Sequence, residues 1–318
     1  MIYAPVIIPT LNRYVHFRNC LESLEACTGA EFTDVYIALD YPPSDKYIDG
    51  WKKNNEYLNF KEKSNKFKSL TVYRRKENYF FSGKGNGKTA IKDLPDTFDR
   101  YIFSEDDNIF SPNFLEYINK GLEMFKNDTS ILAICGYCHP YDIKVTDNNY
   151  FMQNVDFSAW GYGMWKNRDE ICRAALVPKY YRKKMFSLFN IYKLKNNGLN
   201  RLLYAFKCAY GLKKIPSSDN TLSVYMALED MNVVMPVVTK VRNTGWDGSG
   251  IHCHDAGELK TIHFNQKIDK SRHFDFIGDG KCNYDDNRKV FVKSSYARCT
   301  CVNFIKSFVG IFVKKLFK

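Results

Sequence analysis

The first ten residues, MIYAPVIIPT, lack the basic region that opens a secretory signal, and their apolar run is about half the length of a spanning helix. No signal peptide or transmembrane segment is read there, so the expectation is a protein that stays in the cytoplasm. The chain also lacks an internal repeat of fixed period and any low-complexity stretch beyond a Lys/Asn bias, which excludes solenoids and arrays. Acidic residues are the minority, 35 against 47 Lys and Arg, for a formal net charge of +12. Partners are therefore expected to be anionic, with nucleotide diphosphates, phospholipid headgroups and nucleic acid as the candidate classes. Apolar material is not scarce. With 318 residues, 45% hydrophobic and 16% aromatic, the chain can bury the core of one large α/β domain, alone or with a small subdomain, and disorder is excluded.

Ten cysteines are scattered along the chain without a signal peptide ahead of them, and they read as reduced thiols rather than a disulfide framework. Cys135-Gly-Tyr-Cys138-His139 spells the pattern of covalent haem attachment. It follows Ile131-Leu-Ala-Ile134, which reads as a buried strand, so two small core cysteines are the preferred reading.

Apolar runs at 2–8, 35–39, 70–73 and 101–103 read as strands, separated by segments of helical type after Arg13, over 50–68, around 88–98 and over 112–126. Repeated strand-then-helix units predict a mostly parallel sheet with helices on both faces, whose ligands bind outside the carboxyl ends of the strands. Asp40 follows the second strand, and Glu105-Asp106-Asp107 follows the strand ending at Phe103. Those residues and Arg13 would then share one rim.

Three adjacent acids after a buried strand repel one another unless a cation or solvent compensates them, and oxygen-only ligands suit Mg2+ or Mn2+. Alternatively, Glu105 or Asp106 caps the helix that opens near Pro112, or the loop is simply solvated. Lys84 and Lys88 flank the turn Gly83-Lys-Gly-Asn-Gly87, which is either a phosphate loop or a surface loop; Lys88, at the start of a helix facing the rim, is the stronger candidate.

Pro9-Thr-Leu-Asn-Arg13, Asp40, Gly85-Asn-Gly-Lys88 and Phe103-Ser-Glu-Asp-Asp107-Asn-Ile-Phe-Ser-Pro112-Asn-Phe-Leu-Glu-Tyr resemble, in order and spacing, the GT-A nucleotide-sugar glycosyltransferases. The resemblance is greatest to bacterial family 2-like enzymes, and the Glu-Asp-Asp run is also similar to that of the N-acetylglucosaminyltransferase I family. It covers roughly residues 1–255. It implies a GT-A, Rossmann-like fold in which Asp107 binds the metal, Asp106 and Glu105 face ribose and sugar, Asp40 faces the base, and Pro9, Thr10 and Arg13 lie near the nucleotide. Trp160-Gly161-Tyr-Gly163 is similar to the loop that packs beside the donor sugar in those enzymes, with an aromatic corner of the core as the alternative.

An inverting transfer needs a carboxylate to take the acceptor's proton. Asp219, ahead of a helix at 220–229 and a strand containing Pro236, ranks first by the same resemblance; its alternative is an N-cap of that helix. Glu229 and Asp230 are the runners-up. Asn243-Thr-Gly-Trp246-Asp247-Gly-Ser-Gly250-Ile-His252 resembles the loop that closes over the diphosphate, with His252 a further candidate for metal or phosphate.

The division expected is a donor-binding half at 1–150, an acceptor-binding and catalytic half at 151–260, an extension at 261–298 and a basic amphipathic tail at 299–318. That tail is too short to span a bilayer and reads as an interfacial helix on anionic lipid, or as a helix docked on the core. The resulting expectation is an inverting transferase acting on a nucleoside-diphosphate sugar and a glycan or lipid-linked acceptor, at the inner face of the membrane, in surface polysaccharide or lipopolysaccharide synthesis. A sugar-nucleotide nucleotidyltransferase would show glycines near the N-terminus that Pro9–Arg13 lacks. A non-catalytic membrane-surface protein leaves the acids unexplained, and no nucleic-acid motif appears.

Overall fold

The computed structural model describes residues 2–140, 147–249, 265–282, 289 and 299–316. The chain alternates β1 (Val6–Thr10), α1 (Tyr14–Glu25), β2 (Asp34–Leu39), α2 (Ile48–Lys61), β3 (Ser69–Arg74), α3 (Asn86–Lys92) and β4 (Arg100–Phe103). After β5 (Asn108–Phe110) and α4 (Phe114–Met124) come β6 (Ile131–Cys135), β7 (Tyr150–Gln153) and β8 (Tyr162–Trp165). Four helices follow, α5 (Lys166–Ala174), α6 (Pro178–Met185), α7 (Leu188–Asn196) and α8 (Leu199–Phe206), then α9 (Asp219–Glu229), β9 (Asn232–Pro236), β10 (Val241–Asn243) and α10 (Cys301–Leu316).

Eight strands form one sheet in the order β3-β2-β1-β4-β8-β6-β9-β7, and six of them point the same way, with β8 and β7 opposed. The expected mixed α/β fold with a mostly parallel sheet flanked by helices is the one present. Period-two alternation divides the side chains between two cores. Val6 and Ile8 of β1 pack with Phe17, Leu21, Leu24 and Leu58 on one face, and Ile7 packs with Ala90, Ile91, Leu222 and Met226 on the other. Strands covered on both faces are buried throughout, as in β2 and β6.

The structure departs from the expected elements in three places. The helix at 88–98 ends at Lys92, before Leu94-Pro95, because a residue preceding proline is pushed out of helical geometry. The acids run into β5, not directly into a helix, because β5 pairs antiparallel with β10 in a small second sheet. The Lys/Asn-rich stretch forms α6–α8, a layer with its own core of Tyr181, Met185, Leu194, Leu202 and Cys208 that leans on Val224 and Leu228 of α9.

The described part of the extension continues the main body. Phe274 lies 4.9 Å from Tyr117, ring centre to ring centre, and Lys240 is paired with Asp269. Helix α10 docks on the helical layer, Phe308 meeting Phe206 of α8 at 4.8 Å, while Val302, Ile305 and Val309 stay exposed. No helix among the described residues is long and apolar enough to cross a membrane.

Candidate active site at the carboxyl rim of the sheet

The sheet reverses its winding at β1, with β2 and β3 to one side and β4 to the other, and such a switch point opens a crevice at the carboxyl ends of the strands. Thr10 ends β1 on this rim, and Glu105-Asp106-Asp107 follows β4 beside it. Strand β8 runs backwards, so Trp160 and Gly161 enter it from the same rim. Helix α9 descends towards β9, so its first residue, Asp219, is also at that end.

The two aspartates of the triplet are buried and fully engaged. Asp106 is paired with Arg13 and accepts from Thr10 Oγ1 at 2.8 Å, while Asn54 Nδ2 donates to the same hydroxyl at 3.2 Å. Asp107 accepts from Arg13 Nη1 at 2.8 Å and from Asn243 Nδ2 at 2.7 Å. Two carboxylates outweigh burial and hold the Arg13 guanidinium firmly protonated, whereas burial keeps Asp107 above its ordinary pKa. Gly245 lets the β10 loop lie against this cluster, since a Cβ there would come within 2.1 Å of Asp107 Oδ2. Thr244 donates through N–H and Oγ1 to the Asp107 carbonyl, at 2.8 and 2.7 Å.

Glu105 differs from its neighbours. Its carboxylate has no hydrogen-bond donor among the described residues, and its pKa is pushed well up by burial, then by Asp107, Asp219 and Asp106. Asp219 is thus near enough to Glu105 to add to that rise, in keeping with its place at the same end of the sheet.

The capping alternatives fall to other residues. Helix α4 starts from Asn113, so neither Glu105 nor Asp106 caps it. Helix α9 is capped by Ser218, whose hydroxyl accepts from Thr221 N, and Asp219 occupies the first helical position. The backbone amide of Ala159, in the loop that carries Trp160, is near enough to Asp219 to favour its ionised form. Burial first, then the nearby Asp156, raises its pKa to about 7.

A polar network absent from the sequence reading stands behind Asp219. Asp156 faces His139 Nε2 at 2.8 Å and accepts from Arg201 Nη2 at 2.5 Å, and Arg201 also donates to the Asn220 side chain. These contacts tie the segment after β7, helix α8 and the start of α9 together. The only linear signal for it was Asp156 lying four residues ahead of Trp160. Trp160 itself stands edge-on to Tyr137, centres 4.6 Å apart, and to Trp246 at 6.1 Å, so it is at once an aromatic corner and a wall of the rim.

The other candidates are dispersed. Asp40 is buried and holds the loop after β3, accepting from the backbone N–H groups of Tyr79 and Phe80 at 2.8 and 3.0 Å. Pro9 pairs in register with Ala38 inside β1. Lys84 is exposed and paired with Glu77. Lys88 has its pKa lowered by partial burial and by Arg173, Lys92 and Lys214, a cationic neighbourhood suited to an anion. Glu229 and Asp230 sit at the far end of α9, about 16 Å from Asp219 by helical rise. Glu229 is bound by Tyr180 and by Lys184 at 2.7 Å, and Asp230 by Lys193 at 2.6 Å. His252 lies outside the described residues. Cys135 and Cys138 are free and fully buried, with the Cys138 thiol pushed up to about 12, and His139 is bound to Asp156.

Among the described residues no cluster of three metal-type side chains has formed. The donor chemistry nevertheless fits a hard divalent cation. Carboxylate oxygens dominate the rim, and the unpaired Glu105, raised by burial and by three other acids, is the group a cation would relieve.

No family description and no curated protein matches the chain. Among solved structures it is similar to the mannosyltransferase PcManGT from Pyrobaculum calidifontis in complex with GDP-Man and Mn2+, 13% identical over 71% of this chain and 69% of that one, with a TM-score of 0.39. It is similar to S. aureus TarS 1-349, 17% identical over 51% of this chain and 47% of that one, TM-score 0.36, and spans only 23% of a longer TarS chain. The apo-form glycosyltransferase GlyE of Streptococcus pneumoniae TIGR4 is 12% identical over 55% and 37%, TM-score 0.33. At these identities and scores, the functional reading rests on the site itself.

Proposed function

We propose that the chain is an inverting glycosyltransferase that moves a sugar from a nucleoside-diphosphate sugar to a glycan or lipid-linked acceptor. The observation that carries this reading is that Asp219 and the triplet share the carboxyl rim of the sheet, near enough for Asp219 to raise Glu105, with Ser218 taking over the capping role. The sequence resemblance to GT-A enzymes supports it independently.

In this reading residues 1–150 bind the donor. Arg13 and Lys88 face its phosphates, and Asp40 shapes the base pocket through the loop it clamps. Asp107 and Glu105 would hold Mn2+ or Mg2+, which when bound offsets charge on the departing diphosphate. Residues 151–260 present the acceptor beside Trp160. Asp219 takes the proton of the attacking hydroxyl as its oxygen bonds to the anomeric carbon and the bond to the diphosphate breaks. With a pKa raised to about 7, the carboxylate is a stronger base than an ordinary aspartate and is still ionised in useful proportion at neutral pH. We place the reaction at the inner face of a membrane, in assembly of a surface polysaccharide or lipopolysaccharide.

The test is donor hydrolysis and transfer with a panel of nucleotide sugars, with and without Mn2+, on the wild type, Asp107→Ala and Asp219→Asn. Each substitution is expected to lower transfer about 10²–10⁴-fold. Wild-type activity unaffected by chelator and by both substitutions overturns the mechanism.

A further inference from the structure

Charge in this protein is segregated. Residues 171–218 contain eleven Lys and Arg and no acid, and residues 287–318 contain eight and no acid. Of the 47 basic and 35 acidic residues these two segments hold 19 and none, so the remaining chain holds 28 and 35 and is net negative. The basic surplus therefore lies outside the donor-binding half, in the helices between β8 and α9 and in the C-terminal segment. The fold packs α10 of the second segment against α8 of the first, Phe206 meeting Phe308.

The corner between α6 and α7 adds an apolar element. Phe186 is 82% exposed, Leu188 81% and Phe189 66%, and Tyr192 is exposed one turn on. Isolated exposed apolar side chains are ordinary, but four within seven residues are not. The corner is held in shape: Ser187 caps α7 by accepting from Asn190 N, and Asn190 Nδ2 donates to the Lys184 carbonyl at 3.0 Å. Cations border it, with Lys183 exposed on the preceding turn and Lys193, paired with Asp230, 5.1 Å from the centre of the Phe189 ring. Docked on α8 of the same layer, α10 turns Phe304 and Phe308 to the protein and leaves Val302, Ile305 and Val309 outward.

We propose that this acid-free helical layer, led by Phe186, Leu188 and Phe189, is a docking surface for an anionic lipid bilayer. Large apolar side chains bordered by lysines match a leaflet of acyl chains beneath anionic headgroups, the apolar groups entering and the ammonium groups staying at headgroup level. A soluble polyanion would meet the lysines but leave the apolar corner in water. The inference extends the expected membrane role of the tail to a surface made by α6, α7 and α10, and it does not depend on which reaction the rim performs.

The experiment is co-sedimentation of the full chain with vesicles of phosphatidylcholine alone or mixed with phosphatidylglycerol. The wild type is expected to bind the anionic vesicles at least about tenfold more strongly, with binding weakened by salt. The combined variant Phe186→Ser, Leu188→Ser, Phe189→Ser should lose at least about tenfold, and Lys179→Glu with Lys183→Glu should lose most of the preference for anionic lipid. A conservative Phe186→Trp variant keeps the fold and should show a blue-shifted emission on adding anionic vesicles. Equal binding to both vesicle types, or binding untouched by the Ser and Glu variants, overturns the proposal. So does an unshifted tryptophan, or self-association in light scattering that the Ser variant abolishes while no vesicles are bound. A soluble RNA that binds wild type and Ser variant alike, with vesicles ignored, would assign the surface to nucleic acid instead.

Discussion

The carboxyl rim and the α6–α7–α10 layer handle charge in opposite ways. On the rim, like charges are crowded together and compensated on the spot: Arg13 spans Asp106 and Asp107, Asn243 holds the second Asp107 oxygen, and Arg201 with His139 holds Asp156. On the layer, Lys184 and Lys193 are paired with Glu229 and Asp230, but Lys183 stands in solvent beside exposed apolar groups, and its compensating partner must come from outside. A charge answered inside the fold serves placement, and a charge left outside serves encounter. Substitutions should therefore be costly to folding at Arg13 on the rim and nearly free at Lys183 on the layer.

The largest effect on stability is expected at Arg13. Replacing it with Ala leaves two buried carboxylates facing each other, which costs about 3–5 kcal/mol for a broken buried pair. Arg13→Lys should recover only part of this, because a single ammonium cannot reproduce the two-pronged contact with Asp106 and Asp107. Urea unfolding of the three proteins measures it, and a loss below about 1 kcal/mol in the Ala variant would mean that Arg13 does not compensate the rim.

Asp219 comes next, with the opposite sign. Its carboxyl is raised to about 7 in the folded protein, so the fold binds that proton more tightly than the unfolded chain does. The associated stability is present below the ordinary aspartate range and is lost as pH rises through about 7. Asp219→Asn removes the ionisation and should stabilise the protein at pH 8, by about 2 kcal/mol after allowing for partial exposure, while the gain vanishes near pH 4. Melting curves of the two proteins at both pH values test this. A variant that melts lower at pH 8 would place Asp219 in a structural role.

Much of the rim was legible in the linear sequence because its residues end consecutive strands. Apolar runs that stop at Thr10, Asp40 and Glu105 mark the carboxyl edge of a parallel sheet by periodicity alone. The antiparallel β8 and β7 were not legible: four-residue strands such as Tyr150–Gln153 carry too few alternations to separate from loop, and their direction is set by pairing with β6 and β9. Asp156 and Arg201 were missed for a related reason. They lie 45 residues apart and meet only because α8 packs across α9. Asp219 was legible as an acid before a helix, but its freedom from capping was decided by Ser218 one residue earlier.

A smaller and more specific effect is expected at Asp156. Asp156→Asn keeps an oxygen for Arg201 and removes one negative charge near Asp219. That charge contributes to the raised pKa of Asp219, so its loss moves the Asp219 midpoint down. The acid limb of kcat/KM should shift to lower pH by the same amount. A fall in activity without a shift would make Asp156 a packing residue, with no electrostatic hold on the rim.

The smallest effect belongs to the layer. Lys183 is exposed, so Lys183→Ala should change unfolding free energy by less than about 0.5 kcal/mol. Salt should change the stability of wild type and variant alike, because no internal ion pair is lost. The contrast with Arg13 is then a ratio: the same loss of one positive charge, several kcal/mol on the rim and almost nothing on the layer. If Lys183→Ala instead destabilises the protein by 1 kcal/mol or more, as loss of a partly buried pair would, the layer's cations are answered within the fold. The division between charges that place and charges that meet would then have to be redrawn.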